Sequence, residues 1–326
     1  MRHPTLSYST GNSLYVYNEA RKWFPIIFSI ANPIMFLFNA PFGRFTLKNQ
    51  SSIFLVDGRI AWTIMELPSP CFFLYNFFTA PLAVAAPPVP FTLASLTKPY
   101  NILALCFVMH YVNRAIVSPL RTPSRSKSHI IVPFAAIIFN TLNGSLMGAY
   151  LSSPFARIYL SETRPAFFVG LGMYVLGLAG NIYHDEILFN LRRKANTKGK
   201  ANENDAKAGE HYAIPQGGLY ALISYPNYFT EWIEWWGFAM AAAPPPFYLS
   251  TLTVSSLLKV VNPMTLFSIL TTPAHRWAPT FSPPWVFLFV EVAVMFPRAI
   301  RGHQWYHNKF PDSYPKERKA VIPFIV

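Results

Sequence analysis

The sequence predicts an all-α integral membrane protein in which about seven transmembrane helices enclose a cavity. Three observations carry that prediction. The 326 residues are 52% hydrophobic and only 13% charged, with a mean hydropathy of +0.26, too apolar for an ordinary soluble domain. The apolar residues gather into runs long enough to cross a bilayer. The lysines and arginines behind the formal net charge of +13 sit in short loops between those runs, a pattern that reports topology and argues against a nucleic-acid partner. Both cysteines, Cys71 and Cys106, fall inside apolar runs, which leaves no disulfide framework and no thiolate metal cluster. The chain, 1–326, reads as a single polytopic domain.

The polar opening stretch carries no pattern of a cleavable leader, so the first apolar run, Trp23 to Ala40, is expected to be retained. The second, about Ile60 to Ala86, contains Glu66-Leu67-Pro68-Ser69, and Pro68 and Pro70 should break or kink it. The carbonyls so freed are tolerated in a membrane only where protein or a cavity satisfies them. The third run, about Pro99 to Leu120, holds His110-Tyr111 and Arg114. The fourth covers about Ile130 to Leu151, the fifth Pro165 to Leu191, the sixth Gly217 to Ala242 and the last Pro284 to Tyr306. No internal repeat is visible.

Basic clusters follow the first span (Arg44, Lys48), the third (Arg121, Arg125, Lys127), the fifth (Arg192, Arg193, Lys194) and the last (Lys309, Lys316, Arg318, Lys319). Those ends share one side, which the positive-inside rule makes cytosolic, with the C-terminus there and the N-terminus opposite. Arg2, Arg21 and Lys22 count against this orientation. An extra apolar, proline-rich stretch from Pro244 to Pro283 would spoil the alternation as a full span, so it reads as a re-entrant or interfacial insert. The polar loop Ala195 to Glu210 shows no apolar period and is expected to be mobile.

Two helices carry polar stripes. Asn181, Asp185 and Arg192 recur at helical spacing on one face, as do Asn227, Glu231 and Glu234. Ionisable groups inside membrane-length segments are costly and usually line a cavity. The plain alternative is two helices that pair their polar faces. Gly170, Gly172 and Gly177 lack the spacing of a dinucleotide fingerprint and fit close helix packing better. His303 and His307 share a face, but no metal-binding box accompanies them. They fit an anion-binding end with Arg298, Arg301 and Tyr306. Glu66 stands out singly: a carboxyl group in a membrane helix is expected to stay neutral and to donate a hydrogen bond to a ligand carbonyl, with Tyr111 as a second donor. Its plain alternative is a partner for the carbonyls freed beside Pro68.

Asn181-Ile182-Tyr183-His184-Asp185, Tyr212-x-Ile214-Pro215-x-Gly217-Gly218-Leu219, Asn227-x-x-x-Glu231-x-x-Glu234-Trp235, Arg298-Ala299 with His303-x-Trp305-Tyr306, and Tyr314-Pro315-x-x-Arg318 with Ile322-Pro323-Phe324 together resemble the steroid 5-alpha-reductase family. The resemblance covers the chain from about residue 165 to the end, apart from the insert. Before that it rests on Glu66-Leu67-Pro68-Ser69, on His110-Tyr111 with Arg114 and on Phe42-Gly43-Arg44. It implies a multi-pass, seven-helix reductase of the endoplasmic reticulum that reduces the carbon–carbon double bond of an enone lipid with NADPH. Residues 23–164 would then supply the substrate-side helices and 165–326 the cofactor half. By matched position the resemblance gives the cofactor Asn181, Asp185, Arg192, Tyr212, Asn227, Glu231, Arg298 and Tyr306, with His303 and Arg114 as additions. It gives Glu66 and Tyr111 to the 3-keto oxygen. The expected partners are a steroid-like enone and membrane lipids, with a monomeric chain and no metal.

Departures from the family stand at Met65, in place of a polar amide of steroid-specific members, at Phe189, in place of a basic residue of animal members, and at Gly302, in place of a His. Polyprenal and trans-2-enoyl-CoA reductases of the same fold are competing readings, and Glu66-Leu67-Pro68 favours a steroid-like ketone. From other classes come a membrane methyltransferase similar to isoprenylcysteine carboxyl methyltransferase and a non-catalytic lipid-binding protein. The polar face of Asn181, Asp185 and Arg192 favours the reductase over the methyltransferase.

Overall fold

Proline opens most of the helices, as expected of a residue whose missing N–H costs nothing in a first turn and whose fixed φ suits it. The computed structural model describes residues 5–37, 52–83, 95–201, 213–247 and 262–326. Its helices are α1 (Thr5–Leu37), α2 (Gly58–Glu66), α3 (Pro68–Thr79), α4 (Pro99–Val112), α5 (Ser118–Arg121), α6 (Ile131–Ser152), α7 (Pro154–Tyr159), α8 (Pro165–Ala201), α9 (Pro226–Ala242), α10 (Pro263–Thr271) and α11 (Pro283–Lys309). A π turn, Asn113–Val117, joins α4 to α5. Among the described residues four helical stretches are long and apolar enough to cross a membrane: Pro99–Arg121, Ile131–Ser152, Pro165–Ala195 and Pro283–Lys309. The fold is an all-α membrane fold.

The second apolar run divides as its prolines require, with α2 ending at Glu66 and α3 starting at Pro68. The third changes pitch, and Pro119 is the cause. Pro119 has no N–H to give the preceding turn, and the N–H of Ser118 reaches back to the carbonyl of Asn113. The carbonyl of Arg114 accepts instead from Trp62 Nε1 on α2, at 2.9 Å. The helix thereby stays continuous while α2 is tied to it.

The segments after the first and third spans and the end of the fifth lie together, while Arg44 and Lys48 are outside the described residues. β1 (Leu55–Val56) pairs antiparallel with β2 (Ser128–His129), joining the segment after the first span to the segment after the third. Arg121 Nη2 meets Glu186 Oε2 at 2.8 Å, and Arg193 Nη2 donates to the carbonyl of Arg121, so the end of the fifth span joins them. One expectation fails here. Ala195 to Ala201, read as mobile loop, is helical, because α8 runs on to Ala201. The rest of that loop lies outside the described residues.

At the opposite end the part of the insert from 262 onward folds against α1, and 248–261 lie outside the described residues. α10 has nine residues and buries none of them, exposing Met264, Leu266, Phe267 and Leu270. At about 1.5 Å per residue it is too short to span a bilayer and fits the interfacial reading. Arg21 and Lys22, which counted against the orientation, are buried here. Arg21 donates to the carbonyls of Ala278 (2.6 Å), Trp277 (2.8 Å) and Phe281 (3.1 Å), and Lys22 Nζ to those of Leu270 (2.7 Å) and Thr272 (2.8 Å).

Candidate active site

The site grows from the seam between α8 and α9. A Cβ on Gly170 would collide with the carbonyl oxygen of Gly237, one on Gly177 with the backbone of Glu234, and one on Gly180 with Thr230. The backbones approach this closely only because those positions are glycine, as small residues permit in membrane helices. Gly172 faces open space, so it does not belong to the seam. Close approach lets short polar side chains bond across. Asn181 Nδ2 donates to the carbonyl of Asn227 (3.0 Å) and to Glu231 Oε2 (3.2 Å), and Asn227 Nδ2 donates to Asp185 Oδ1 (3.0 Å). The two stripes do pair, as the plain alternative has it, and pairing does not exhaust them.

Glu231 reaches Arg114 in the π turn, and Glu234 reaches His110 near the end of α4. Arg114 Nη2 lies 3.3 Å from Glu231 Oε1, and Arg114 Nε 3.8 Å from Glu66 Oε1. His110 Nδ1 meets Glu234 Oε1 at 2.7 Å, and its Nε2 lies 3.8 Å from Glu231 Oε1. Glu66 and Tyr111 converge on one amide: Asn140 Nδ2 donates to Glu66 Oε2 (3.4 Å), while Asn140 Oδ1 accepts from the Tyr111 hydroxyl (3.4 Å). Asn143 Nδ2 holds the same hydroxyl at 2.8 Å. All these groups lie in an apolar bundle, with Phe107 and Trp235 against His110 and Tyr111. Low local polarity makes each such bond count more and each unpartnered group cost more.

Toward the basic end, Trp62 lies between two guanidinium groups, with Arg125 Cζ 3.8 Å and Arg114 Cζ 4.8 Å from its ring centre. Among the described residues Arg125 makes no salt bridge. Its Nε is buried with no hydrogen-bond partner among the described residues, and burial pushes its guanidinium down to about 9, against the pull of Asp185. Arg192 Nη1 donates to Thr122 Oγ1 at 3.2 Å, in the same loop. A shallow surface depression beside this loop is lined by Asn113, Arg121, Asp185, Glu186 and Phe189 among others.

The remaining predicted residues stand on α11. Arg298 Nε donates to the Tyr228 hydroxyl at 3.2 Å, next to Asn227 in the chain. His303 Nδ1 and the Tyr314 hydroxyl both meet Ser224 Oγ at 2.6 Å, and Tyr306 stacks on Tyr314 with ring centres 5.1 Å apart. A Cβ on Gly302 would run into the Tyr225 ring and hydroxyl, so a side chain there is excluded by that tyrosine. Among the described residues no group of three His, Cys, Asp or Glu is placed to hold a metal ion.

Comparison with known proteins decides the family. The family described as 3-oxo-5-alpha-steroid 4-dehydrogenase matches residues 126–262 and 274–326, more than half of the chain. The chain belongs to the 3-oxo-5-alpha-steroid 4-dehydrogenase family. An uncharacterized protein of Schizosaccharomyces pombe is 34% identical over 95% of this chain and 99% of its own length. The rat 3-oxo-5-alpha-steroid 4-dehydrogenase 1 is 32% identical over 88% of this chain and 86% of its own length. The tomato steroid 5-alpha-reductase DET2 is 29% identical over 88% of each. The residues matched to the 3-oxo-5-alpha-steroid 4-dehydrogenase family skip 263–273, which contain α10, and begin after Glu66, Tyr111 and Arg114.

Of the residues singled out in the sequence, one hydrogen-bonded and ion-paired network joins Glu66, Tyr111, Arg114, Asn181, Asp185, Asn227 and Glu231. Arg192 sits with the basic loop, and Arg298, His303 and Tyr306 with the tail. Tyr212 lies outside the described residues. Sequence reading missed the roles of Asn140, Asn143, Trp62, Arg125 and Glu291. Asn140 and Asn143 left a signal, two amides one helical turn apart in an apolar run, whereas Arg125 was read only as a topology charge.

Proposed function

We propose that this chain reduces the carbon–carbon double bond of an enone lipid with NADPH, its best-fitting substrate being a 3-oxo-Δ4 steroid reduced at the 5α position. The observation that carries the reading is the convergence of Glu66 and the Tyr111 hydroxyl on Asn140, beside Arg114, within an apolar bundle. When bound, NADPH supplies a hydride. As the β carbon of the enone gains it, negative charge gathers on the carbonyl oxygen, and donors preorganised there lower the barrier where that charge develops. Glu66 and Tyr111 are the catalytic residues of this reading. Family membership and the names of the mammalian and plant relatives support it.

The donor set fits the cofactor. The buried, unpartnered Nε of Arg125 and the neighbouring Arg192 suit phosphate groups, which arginine forks bind well. Asn181, Asp185, Asn227, Glu231, Arg114, Arg298, His303, Tyr306 and Tyr212 complete the proposed set. Residues 165–326 would hold the cofactor and 23–164 the substrate, in a seven-span monomer of the endoplasmic reticulum membrane with a cytosolic C-terminus. A tag at Val326 should then be digested in sealed microsomes and one at Met1 protected, and the reverse would overturn the orientation.

The decisive experiment varies Glu66. Glu66→Ala should lose about two to three orders of magnitude in turnover, the usual cost of an oxyanion donor. Glu66→Gln should keep part of it, because an amide still donates. NADPH affinity should hardly change in either. Parental turnover by the alanine variant would leave Glu66 a structural partner of its broken helix. Thermal protection by S-adenosylmethionine instead of NADPH would favour the methyltransferase reading. Product mass spectrometry over steroid, polyprenal and enoyl-CoA enones tests the substrate class.

A further inference from the structure

Glu291 is a buried carboxyl group that the reaction described above does not use. It lies on the inner face of α11 with Val286, Phe287 and Val290, and only 8% of it is exposed. Its neighbours by electrostatic influence are Glu231, Glu234, Glu66, Arg114 and Tyr111. The three other glutamates of this neighbourhood have partners: Glu66 has Arg114 and Asn140, Glu231 has Arg114 and Asn181, and Glu234 has His110. Glu234 Oε2 also lacks a partner, but its Oε1 is held by His110. Glu291 Oε2 is buried with no hydrogen-bond partner among the described residues.

Such an oxygen is costly in an apolar bundle unless a donor reaches it. Apart from apolar side chains and other carboxyls, the groups around it are Arg114, which Glu66 and Glu231 already share, and the Tyr111 hydroxyl, which donates to Asn140. What is missing is a donor from outside the protein. We propose that Glu291 is a specificity-determining residue that accepts a hydrogen bond from a hydroxyl group of the substrate, so that the preferred substrate is a hydroxylated lipid enone rather than a hydrocarbon-tailed one. This rests on the enone-reductase reading. Glu66 and Tyr111 then hold the ketone oxygen and Glu291 the hydroxyl, in a bundle whose aromatic side chains, such as Phe287 and Trp235, supply apolar surface for the carbon skeleton.

The test uses the full-length protein and 3-oxo-Δ4 steroids that differ in one ring hydroxyl, each compared with the skeleton that lacks it. For at least one hydroxylated member the parent should show a kcat/KM advantage of about tenfold to a hundredfold, the worth of a hydrogen bond to an ionisable group. Glu291→Leu should abolish that advantage and leave the unhydroxylated skeleton reduced at the parental rate. Glu291→Gln should keep part of the advantage, since its carbonyl still accepts. Without ligand, Glu291→Leu should melt at the same or a higher temperature than the parent, because it removes an unpartnered buried group, whereas a structural role would lower it. In a binding assay without NADPH, the favoured hydroxylated steroid should stabilise the parent more than the leucine variant. An unchanged hydroxyl preference in Glu291→Leu, or a uniform loss over all substrates, would overturn the assignment. If the parent reduces no enone at all, the reductase reading falls. The Glu291 assignment falls with it if the hydroxylated steroids also stabilise parent and leucine variant equally.

Discussion

The α8–α9 seam and the clamp between α1 and the insert both bury polar groups, by opposite means. In the seam, side chain meets side chain: Asn181 bonds Glu231, Asn227 bonds Asp185, and glycines bring the helices close enough. In the clamp two cations donate their hydrogen bonds to backbone carbonyls, five of them within 3.1 Å, and α1 and the insert need share no polar side-chain pattern for that. The difference teaches where sequence periodicity has force. A partner that is a side chain leaves a mark in its own helix; a partner that is a carbonyl leaves none.

Substitutions can break this comparison. The largest effect is expected in the seam. Gly177→Leu places a side chain against the Glu234 backbone and should cost more than about 4 kcal/mol, enough to abolish a monodisperse purified protein, because backbone cannot yield as a side-chain tip does. Gly172→Leu, facing open space, should stay within about 0.5 kcal/mol on the same size-exclusion and melting measurements. Equal behaviour of the two would remove the glycine argument. The clamp should be next. Arg21→Met leaves the part-buried carbonyls of Trp277 and Phe281 without their donor, while that of Ala278 keeps the Phe281 N–H; toward the low end of about 1–3 kcal/mol for each of the two, a total loss of about 2–4 kcal/mol is expected. If instead the methionine variant melts like the parent, water reaches those carbonyls and the insert is looser than described. Smallest in stability, though not in function, are Arg192→Ala and Asn227→Ala. Each should weaken NADPH binding by about 1.5–3 kcal/mol, roughly tenfold to more than a hundredfold, with the melting temperature nearly kept in Arg192→Ala and lowered modestly in Asn227→Ala, which loses its bond to Asp185. Parental affinity in both variants would remove these residues from the cofactor set.

The sequence made the membrane class, the break at Pro68, the polar faces of α8 and α9 and the grouping of basic ends legible, because each follows from a short-range rule: hydropathy, proline sterics or helical period. The partners of Glu66 were not legible. Arg114 reaches it from the third run and Asn140 from the fourth, and nothing in the spacing of either names the second helix as the target. Arg21 and Lys22 were read as topology charges, and Arg125 likewise, because a sequence does not say whether a cation faces water, carbonyl oxygens or a tryptophan ring. The continuation of α8 beyond Lys194 was hidden by its polar composition, which matches that of a loop.

The π turn at Asn113–Val117 makes chain length itself a heritable setting of the site. An α-helix absorbs one inserted residue as a single wider turn, without losing continuity. Deleting one residue within the turn would close it to an ordinary helix and leave what flanks it facing nearly as before, whereas deleting one from the α-helical turns beside it would rotate everything after by about 100° and draw it back by about 1.5 Å. His110 and Tyr111 precede the turn, whereas Arg121 and Arg125 follow it. Every side chain could then be kept and the relation between them still lost, with Arg125 turned from the Trp62 ring. Among descendants of this sequence, single-residue gains or losses between Tyr111 and Arg125 should accordingly be far rarer than substitutions at the same positions.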